Sequence, residues 1–171
     1  MTVSRGNSDA DGIRVFGNSH RITDNTIFDI SDRGYASPPH PDCFQTYDQN
    51  NPPTFDVVIS GNTCRNVGAQ CVIATGDQRG NSGAPAGATS ITFVGNTCAP
   101  NGAQAINLRR WPNVEIRQNN LSGPNLTRGI IIIDGSTGAT VIGNATTGDR
   151  PTVDIDDSSR PGPRLEANNP A

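Results

Sequence analysis

The chain has 171 residues and a formal net charge of −3, a size that accommodates one domain and a charge that, without a basic stripe, argues against nucleic acid as a partner. No apolar run approaches the roughly 20 residues of a transmembrane helix, so a membrane is not an expected partner either. Glycine (19) and proline (13) are frequent and only 5% of the residues are aromatic, which indicates a turn-rich β protein.

Short segments with alternating apolar residues recur along the chain and predict the first strand of a repeated unit. Alternation turns Phe44 and Thr46 inward in one segment and Ile106 and Leu108 inward in another. The segments are 12–16, 43–47, 71–75, 105–109 and 129–133, with a sixth at 152–155. Their outward positions then form polar columns across neighbouring strands.

A second motif follows each of these segments, an asparagine with an apolar residue three positions before it. The asparagines are Asn25, Asn62, Asn96, Asn119 and Asn144. Asparagine tolerates the left-handed backbone of a sharp corner, and amides one strand apart can form a ladder. Such units must stack to bury their apolar faces, which predicts an all-β, right-handed parallel β-helix (solenoid) of about six short coils over residues 1–157, rather than a β-sandwich. Residues 158–171, rich in proline and glycine, are expected to be an irregular tail or cap.

The first laps of the repeat are longer than the later ones, and the surplus lies in segments 31–41, 48–53 and 77–89. All three flank the same predicted face at the second and third coils. Loops longer than the scaffold needs are a frequent place for function.

The four cysteines form two pairs of equivalent positions on adjacent laps. Cys64 and Cys98 share an inward column, where they are either small buried hydrophobes or partners in a disulfide. Cys43 and Cys71 are adjacent in an outward column. Two matched pairs fit an oxidising compartment, so a secreted or cell-surface location is expected although 1–5 lack a signal-peptide pattern. The metal-ligand spacing of a zinc site is absent.

The densest polar cluster in the sequence is 40–48. It places His40 and Asp42 at the entrance of the second-lap strand and Tyr47 on its outer face. Carboxylates, arginines, histidine and tyrosine on one elongated face favour a sugar polymer as ligand. The further candidates for substrate contact on this face are Arg14, Gln45, Asp48, Asp77, Arg79, Asn107, Arg110 and Trp111.

The lap pattern I-x-x-N-x-[IC], which covers most of residues 10–157, resembles the pectin-lyase-like right-handed β-helix superfamily. The segment His40-Pro41-Asp42-Cys43-Phe44-Gln45-Thr46 is similar to secreted β-helix proteins of the polysaccharide-lyase and uronate-epimerase type. This resemblance implies a substrate groove on the first-strand face and an acidic, uronate-containing polysaccharide as ligand. The chain departs from members that use a lysine base, because it has no lysine.

β-Elimination from a uronate requires a base, an acid and a group that neutralises the carboxylate. The candidates are His40 or an arginine as base and Tyr47 as acid, with Arg109, Arg110 or Arg79 as the carboxylate partner through bidentate pairing. No cofactor is required in this version, whereas Ca²⁺ held by Asp42, Asp48 or Asp77 would replace the arginine. The same three aspartates are the candidates for a hydrolase with two carboxylates.

The alternative is a non-catalytic β-helix, such as a carbohydrate-binding, tail-spike or adhesin-like segment. The short stack and the lack of lysine favour it. A solenoid without polar end caps also predicts a homo-oligomer formed through the uncapped coil ends.

Overall fold

The computed structural model describes residues 10–35, 37–76, 81 and 83–169, and its strands, numbered in chain order, form three sheets. The first sheet contains β1 (Ile13–Arg14), β4 (Phe44–Tyr47), β7 (Val72–Thr75), β10 (Gln104–Arg109), β13 (Arg128–Ile133) and β16 (Val153–Ile155). The second contains β2 (Arg21–Thr23), β5 (Val57–Ser60), β8 (Ile91–Val94), β11 (Glu115–Arg117), β14 (Thr140–Ile142) and β17 (Arg164–Glu166). The third contains β3 (Thr26–Ile30), β6 (Thr63–Val67), β9 (Thr97–Ala99), β12 (Asn120–Leu121) and β15 (Ala145–Thr146).

The chain passes through the first, second and third sheets in turn, and one such pass is called a lap below. Every strand pairs in parallel with the corresponding strand of the next lap; Phe44, for example, lies beside Val72, and Val72 beside Ile106. The protein is therefore all-β with three parallel sheets, an arrangement consistent with a parallel β-helix. The predicted first strands are confirmed to within two residues. A single turn of 3₁₀-helix, Asp157–Ser159, is also present, and nowhere in the described ranges does a helix reach the length and apolar character of a membrane span.

The predicted asparagine ladder is confirmed. The side-chain oxygen of Asn62 accepts hydrogen bonds from the backbone N–H and the side-chain amide of Asn25, at 2.9 and 3.0 Å. Asn96, Asn119 and Asn144 repeat this pattern, and Asn168, which the sequence did not single out, continues it. The ladder thus ties every lap to the next at the same corner.

The ladder corner uses the left-handed backbone region at a different residue from the one expected. The residue directly before each ladder asparagine has positive φ, as at Gly61 (65°) and Gln118 (53°). Three of these residues are glycines, which adopt such values without a steric cost. The asparagine therefore supplies hydrogen bonds, and its neighbour makes the turn.

The cysteines pair across the interior of a lap and not along the columns of neighbouring strands. Cys43 is bonded to Cys64 and Cys71 to Cys98, so each disulfide joins the start of a first-sheet strand to the third-sheet strand of the same lap. Cys43 and Cys71 are completely buried, so their predicted outward orientation is wrong. They precede their strands at a corner, where the chain direction changes and strict alternation no longer applies.

Residues 158–169 are more regular than the expected tail. β17 pairs in parallel with β14, and Leu165 lies beside Val141. Asn168 extends the ladder from Asn144. The prolines and glycine at 161–163 directly precede β17, and β17 adds a sixth strand to the second sheet.

Candidate functional site

The best-defined polar cluster lies at the corner where the chain leaves the third sheet and enters β4. Asp42 is completely buried there. One of its oxygens accepts a hydrogen bond from the backbone N–H of Gln70 at 2.6 Å, and the other lies 3.1 Å from Nδ1 of His40. The His40 side chain is 54% exposed. The two residues therefore lie together at the strand entrance, as the sequence predicted. Asp42 is buried and His40 is open to solvent.

Burial changes the acidity of Asp42. Desolvation of the charged form raises the pKa of its carboxyl from 3.8 to about 6, against the opposing effects of His40 and the Gln70 N–H. The neighbouring charge of Asp11 acts in the same direction as burial. Above this pKa the carboxylate is ionised and favours a proton on Nδ1 of His40, which fixes the tautomer of the ring.

Asp11 connects this pair to the rest of the face and was not identified from the sequence. Its carboxylate accepts a hydrogen bond from the backbone N–H of Asp42 at 2.9 Å and pairs with Nε of Arg14 at 2.6 Å. The strand register puts Asp11 and Asp42 at equivalent positions on successive laps, two residues before Ile13 and Phe44. Aligning the first-strand segments would have revealed this column.

Arg14 and Tyr47 belong to the same group. The central carbon of the Arg14 guanidinium lies 5.8 Å from the centre of the Tyr47 ring, and Phe16 packs edge-on against that ring at 4.9 Å. Gln45 lies beside Arg14 on the neighbouring strand. His40, Asp42, Asp11, Arg14 and Tyr47 thus form one continuous network, called the entrance cluster below.

Other predicted residues lie on or directly after β10, two strands from β4 in the first sheet. Arg109 pairs with Asp134 of the next lap at 2.6 Å, and Arg110 is exposed beside it. Asn107 lies two strands from Gln45, with its side-chain oxygen buried and without a hydrogen-bond partner among the described residues. Arg109 and its neighbours do not join the entrance cluster.

Trp111, a candidate for substrate contact, is only 1% exposed and does not present its ring at the open surface. It forms part of the wall of a cavity of about 270 Å³, called the exit cavity below. The walls of the exit cavity are Tyr47, Asp48, Asn50, Asn51, Pro52, Pro53, Asn81 and Trp111.

The length of β4 separates several residues that were expected to act together. Asp42 and Asp48 lie six positions apart, at opposite ends of an extended segment that spans about 20 Å at the usual strand rise. They therefore cannot bind one Ca²⁺ ion together or serve as the two carboxylates of a hydrolase. Within the ranges given above, His, Cys, Asp and Glu side chains do not form a group of three or more that could hold a metal ion. Asp77 and Arg79, also proposed for the site, lie outside the described residues.

Comparison of the chain with models of known protein families, with curated proteins and with solved structures finds no match.

Proposed function

We propose that the protein is a right-handed parallel β-helix of about six coils and that it cleaves uronate-containing polysaccharide by β-elimination at the entrance cluster. The three parallel sheets and the continuous asparagine ladder support the architecture. The exposed first-sheet face with its polar cluster supports the activity.

The observation that carries the proposal is the contact of His40 with a buried carboxylate. Asp42 engages Nδ1, so Nε2 is the nitrogen that removes the proton from C5 of the uronate. A base oriented by a buried carboxylate is a recurring arrangement in enzymes, because the carboxylate fixes the ring and stabilises the imidazolium that forms.

Arg14 completes the proposed reaction. Arg14, whose side chain is partly exposed, binds the C6 carboxylate of the substrate and lowers the cost of the carbanion at C5. The leaving oxygen takes a proton from water as the C4–O bond breaks and a double bond forms between C4 and C5, because Tyr47 stands beside Arg14 at the other end of β4 from His40. The proton removed from C5 passes from His40 to solvent.

Incubation with pectate, alginate and glycosaminoglycans, with and without added Ca²⁺, tests the proposal through the ultraviolet absorbance of the unsaturated uronate product. We expect His40→Gln to abolish product formation. His20→Gln is the matched control, since His20 contacts the Phe16 carbonyl and lies outside the cluster. Absence of product from every polymer, or equal rates for the two variants, would refute β-elimination at His40.

The exit cavity favours a second candidate, a non-catalytic carbohydrate-binding segment of the tail-spike or adhesin type. Amide side chains, a carboxylate and an aromatic ring are the groups that commonly bind sugars, and three asparagines, Asp48 and Tyr47 line this cavity. Saccharide binding that survives His40→Gln, without any product, would favour this function.

We further propose a secreted or cell-surface location, supported by the two buried disulfides. Recovery of the chain from the cytoplasm with all four thiols reduced and normal stability would contradict this assignment.

A homo-oligomer through the coil ends remains part of the proposal. Leu165 continues the buried column of Val141 and yet is 43% exposed on the last strand. If a second copy covers Leu165, the charged side chain in Leu165→Asp should prevent this association. Sedimentation analysis over a range of protein concentrations should then give the mass of a monomer.

A further inference from the structure

A second cleft, with a volume of about 590 Å³, lies where the strands of the third sheet end. One wall is the segment that follows β3, with Ser31, Asp32 and Arg33, and the other includes Pro124. The cleft is distinct from the exit cavity, with which it shares no wall residue. Its volume is in the range typical of ligand sites.

A row of four polar side chains from four successive laps runs along the cleft, and it is called the amide row below. The side-chain amide of Asn66 donates to Asp29 at 2.7 Å, that of Asn101 donates to the side-chain oxygen of Asn66 at 2.9 Å, and that of Asn125 donates to the backbone oxygen of Asn101 at 3.0 Å. Unlike the buried ladder asparagines, Asn66 and Asn125 are exposed. The hydrogen bonds hold each amide in a fixed orientation.

The amide row has the chemistry of a hydroxyl-binding surface. A primary amide has two donor hydrogens and an oxygen that accepts twice, and each bond along the row uses one hydrogen of an amide. Each of the three asparagines therefore retains capacity to donate and, at its oxygen, to accept, whereas Asp29 only accepts. Sugar hydroxyl groups do both, and the rungs repeat at the strand spacing of about 4.8 Å, comparable to the advance of a pyranose along an extended glycan.

The charges in the cleft distinguish among glycans. Asp29 and Asp32 outnumber Arg33 among its charged wall residues, so the local field is negative. A polyuronate would be repelled there, whereas a neutral glycan would keep its hydrogen bonds without an electrostatic cost.

We propose that the second cleft binds a neutral, hydroxyl-rich oligosaccharide strand along the amide row. The inference does not depend on the activity proposed for His40. The two sites are nevertheless close in the fold, because Pro41, between His40 and Asp42, packs against Gly68 of the cleft wall: a Cβ added there would lie 2.8 Å from the proline ring. A neutral segment held in the cleft would anchor a mixed polymer beside the entrance cluster.

The test is titration of the ¹⁵N-labelled protein with neutral hexasaccharides of glucose, xylose, mannose and galactose, and with hexagalacturonate. At least one neutral hexasaccharide should shift the side-chain amide signals of Asn66, Asn101 and Asn125. The double variant Asn66→Ala/Asn101→Ala should weaken that binding at least about tenfold, since two hydrogen-bonding rungs are lost.

Two further variants keep the test independent of folding. Asn120→Ala removes an exposed asparagine from the same sheet outside the cleft, so its affinity should be unchanged. Ser31→Trp fills the cleft and leaves the amide row intact, so it should block binding. Failure of all four neutral hexasaccharides to bind, unchanged affinity in the double variant, or tighter binding of hexagalacturonate to the amide row would overturn the inference.

Discussion

Asn96→Ala tests the idea that the asparagine ladder holds the laps together. Asn96 is 1% exposed in the middle of the ladder. Its side-chain oxygen accepts hydrogen bonds from the backbone and side-chain amides of Asn62 at 2.8 and 3.0 Å. Its amide donates to the carbonyl oxygens of Ile59 and Val94 and to the side chain of Asn119.

The size of the effect follows from the groups that lose a partner. Truncation deprives the buried Asn62 N–H of its acceptor and the Ile59 and Val94 carbonyls of a donor. At a net value of about 1 kcal/mol per hydrogen bond, with more for a buried donor left unpaired, the loss is about 3–5 kcal/mol. This is a large part of the free energy of unfolding of an ordinary domain.

Denaturant unfolding followed by the fluorescence of the single tryptophan, the buried Trp111, measures this loss. Asn25→Ala is the matched control, because Asn25 is the exposed first rung and water can replace its bonds; it should cost about 1 kcal/mol or less. Equal losses for Asn96→Ala and Asn25→Ala would refute the argument that burial gives the ladder its strength.

Three other predictions concern the entrance cluster and the Cys43–Cys64 disulfide. The raised pKa of Asp42 contributes stability that is fully present below the unfolded value of 3.8 and is lost as the pH rises through about 6, so the stability of the wild type relative to Asp42→Asn should fall by about 3 kcal/mol between pH 3 and pH 7 in denaturant titrations. On uronate polymers His40→Gln should lower kcat at least about a hundredfold, whereas His20→Gln should stay within about twofold; similar values for both would exclude His40 as base. Cys43→Ala/Cys64→Ala should lower the free energy of unfolding by about 3 kcal/mol, judged from a loop of 21 residues, and an unchanged denaturation midpoint would show that the bridge contributes nothing.

The repeating part of the fold could be predicted from the sequence because it depends on nearest neighbours along each column. An apolar residue three positions before an asparagine fixes both the inward face of the second sheet and the place of the corner, as at Ile59 and Asn62. Asn168 fits the same rule, with Leu165 three positions before it. The surrounding prolines and glycines indicated an irregular tail, so this further repeat unit was not recognised in the sequence.

The disulfide pairing could not be predicted, because it depends on the cross-section of a lap. Sequence alignment shows that Cys43 lies above Cys71 and Cys64 above Cys98. It does not show how far the first sheet stands from the third, and that distance brings Cys43 to Cys64. Alternation also fails at a corner, where Cys43 turns inward directly before Phe44.

The candidate site was predicted in part for a related reason. His40 and Asp42 are neighbours in sequence at one corner, so their contact was accessible. Arg109 was assigned to the same group by its position on the face. In the structure it lies in the row of Tyr47, two strands away, and pairs with Asp134 of the next lap. Arg14 instead pairs with Asp11, which contacts Asp42, so Arg14 takes the place of Arg109 in the proposed reaction.

The column that contains Asp42 indicates why a carboxylate is present there. Equivalent positions on successive laps hold Asp11, Asp42 and Gln70, each two residues before the inward residue of its first-sheet strand. Gln70 is neutral and equally enclosed, so this corner does not require a charge in order to fold. A buried carboxylate costs stability at neutral pH, as the raised pKa of Asp42 shows. The two laps that carry a carboxylate at this position are the laps on which it contacts Arg14 or His40. The charges are therefore better explained by the side chains they orient than by the corner they occupy.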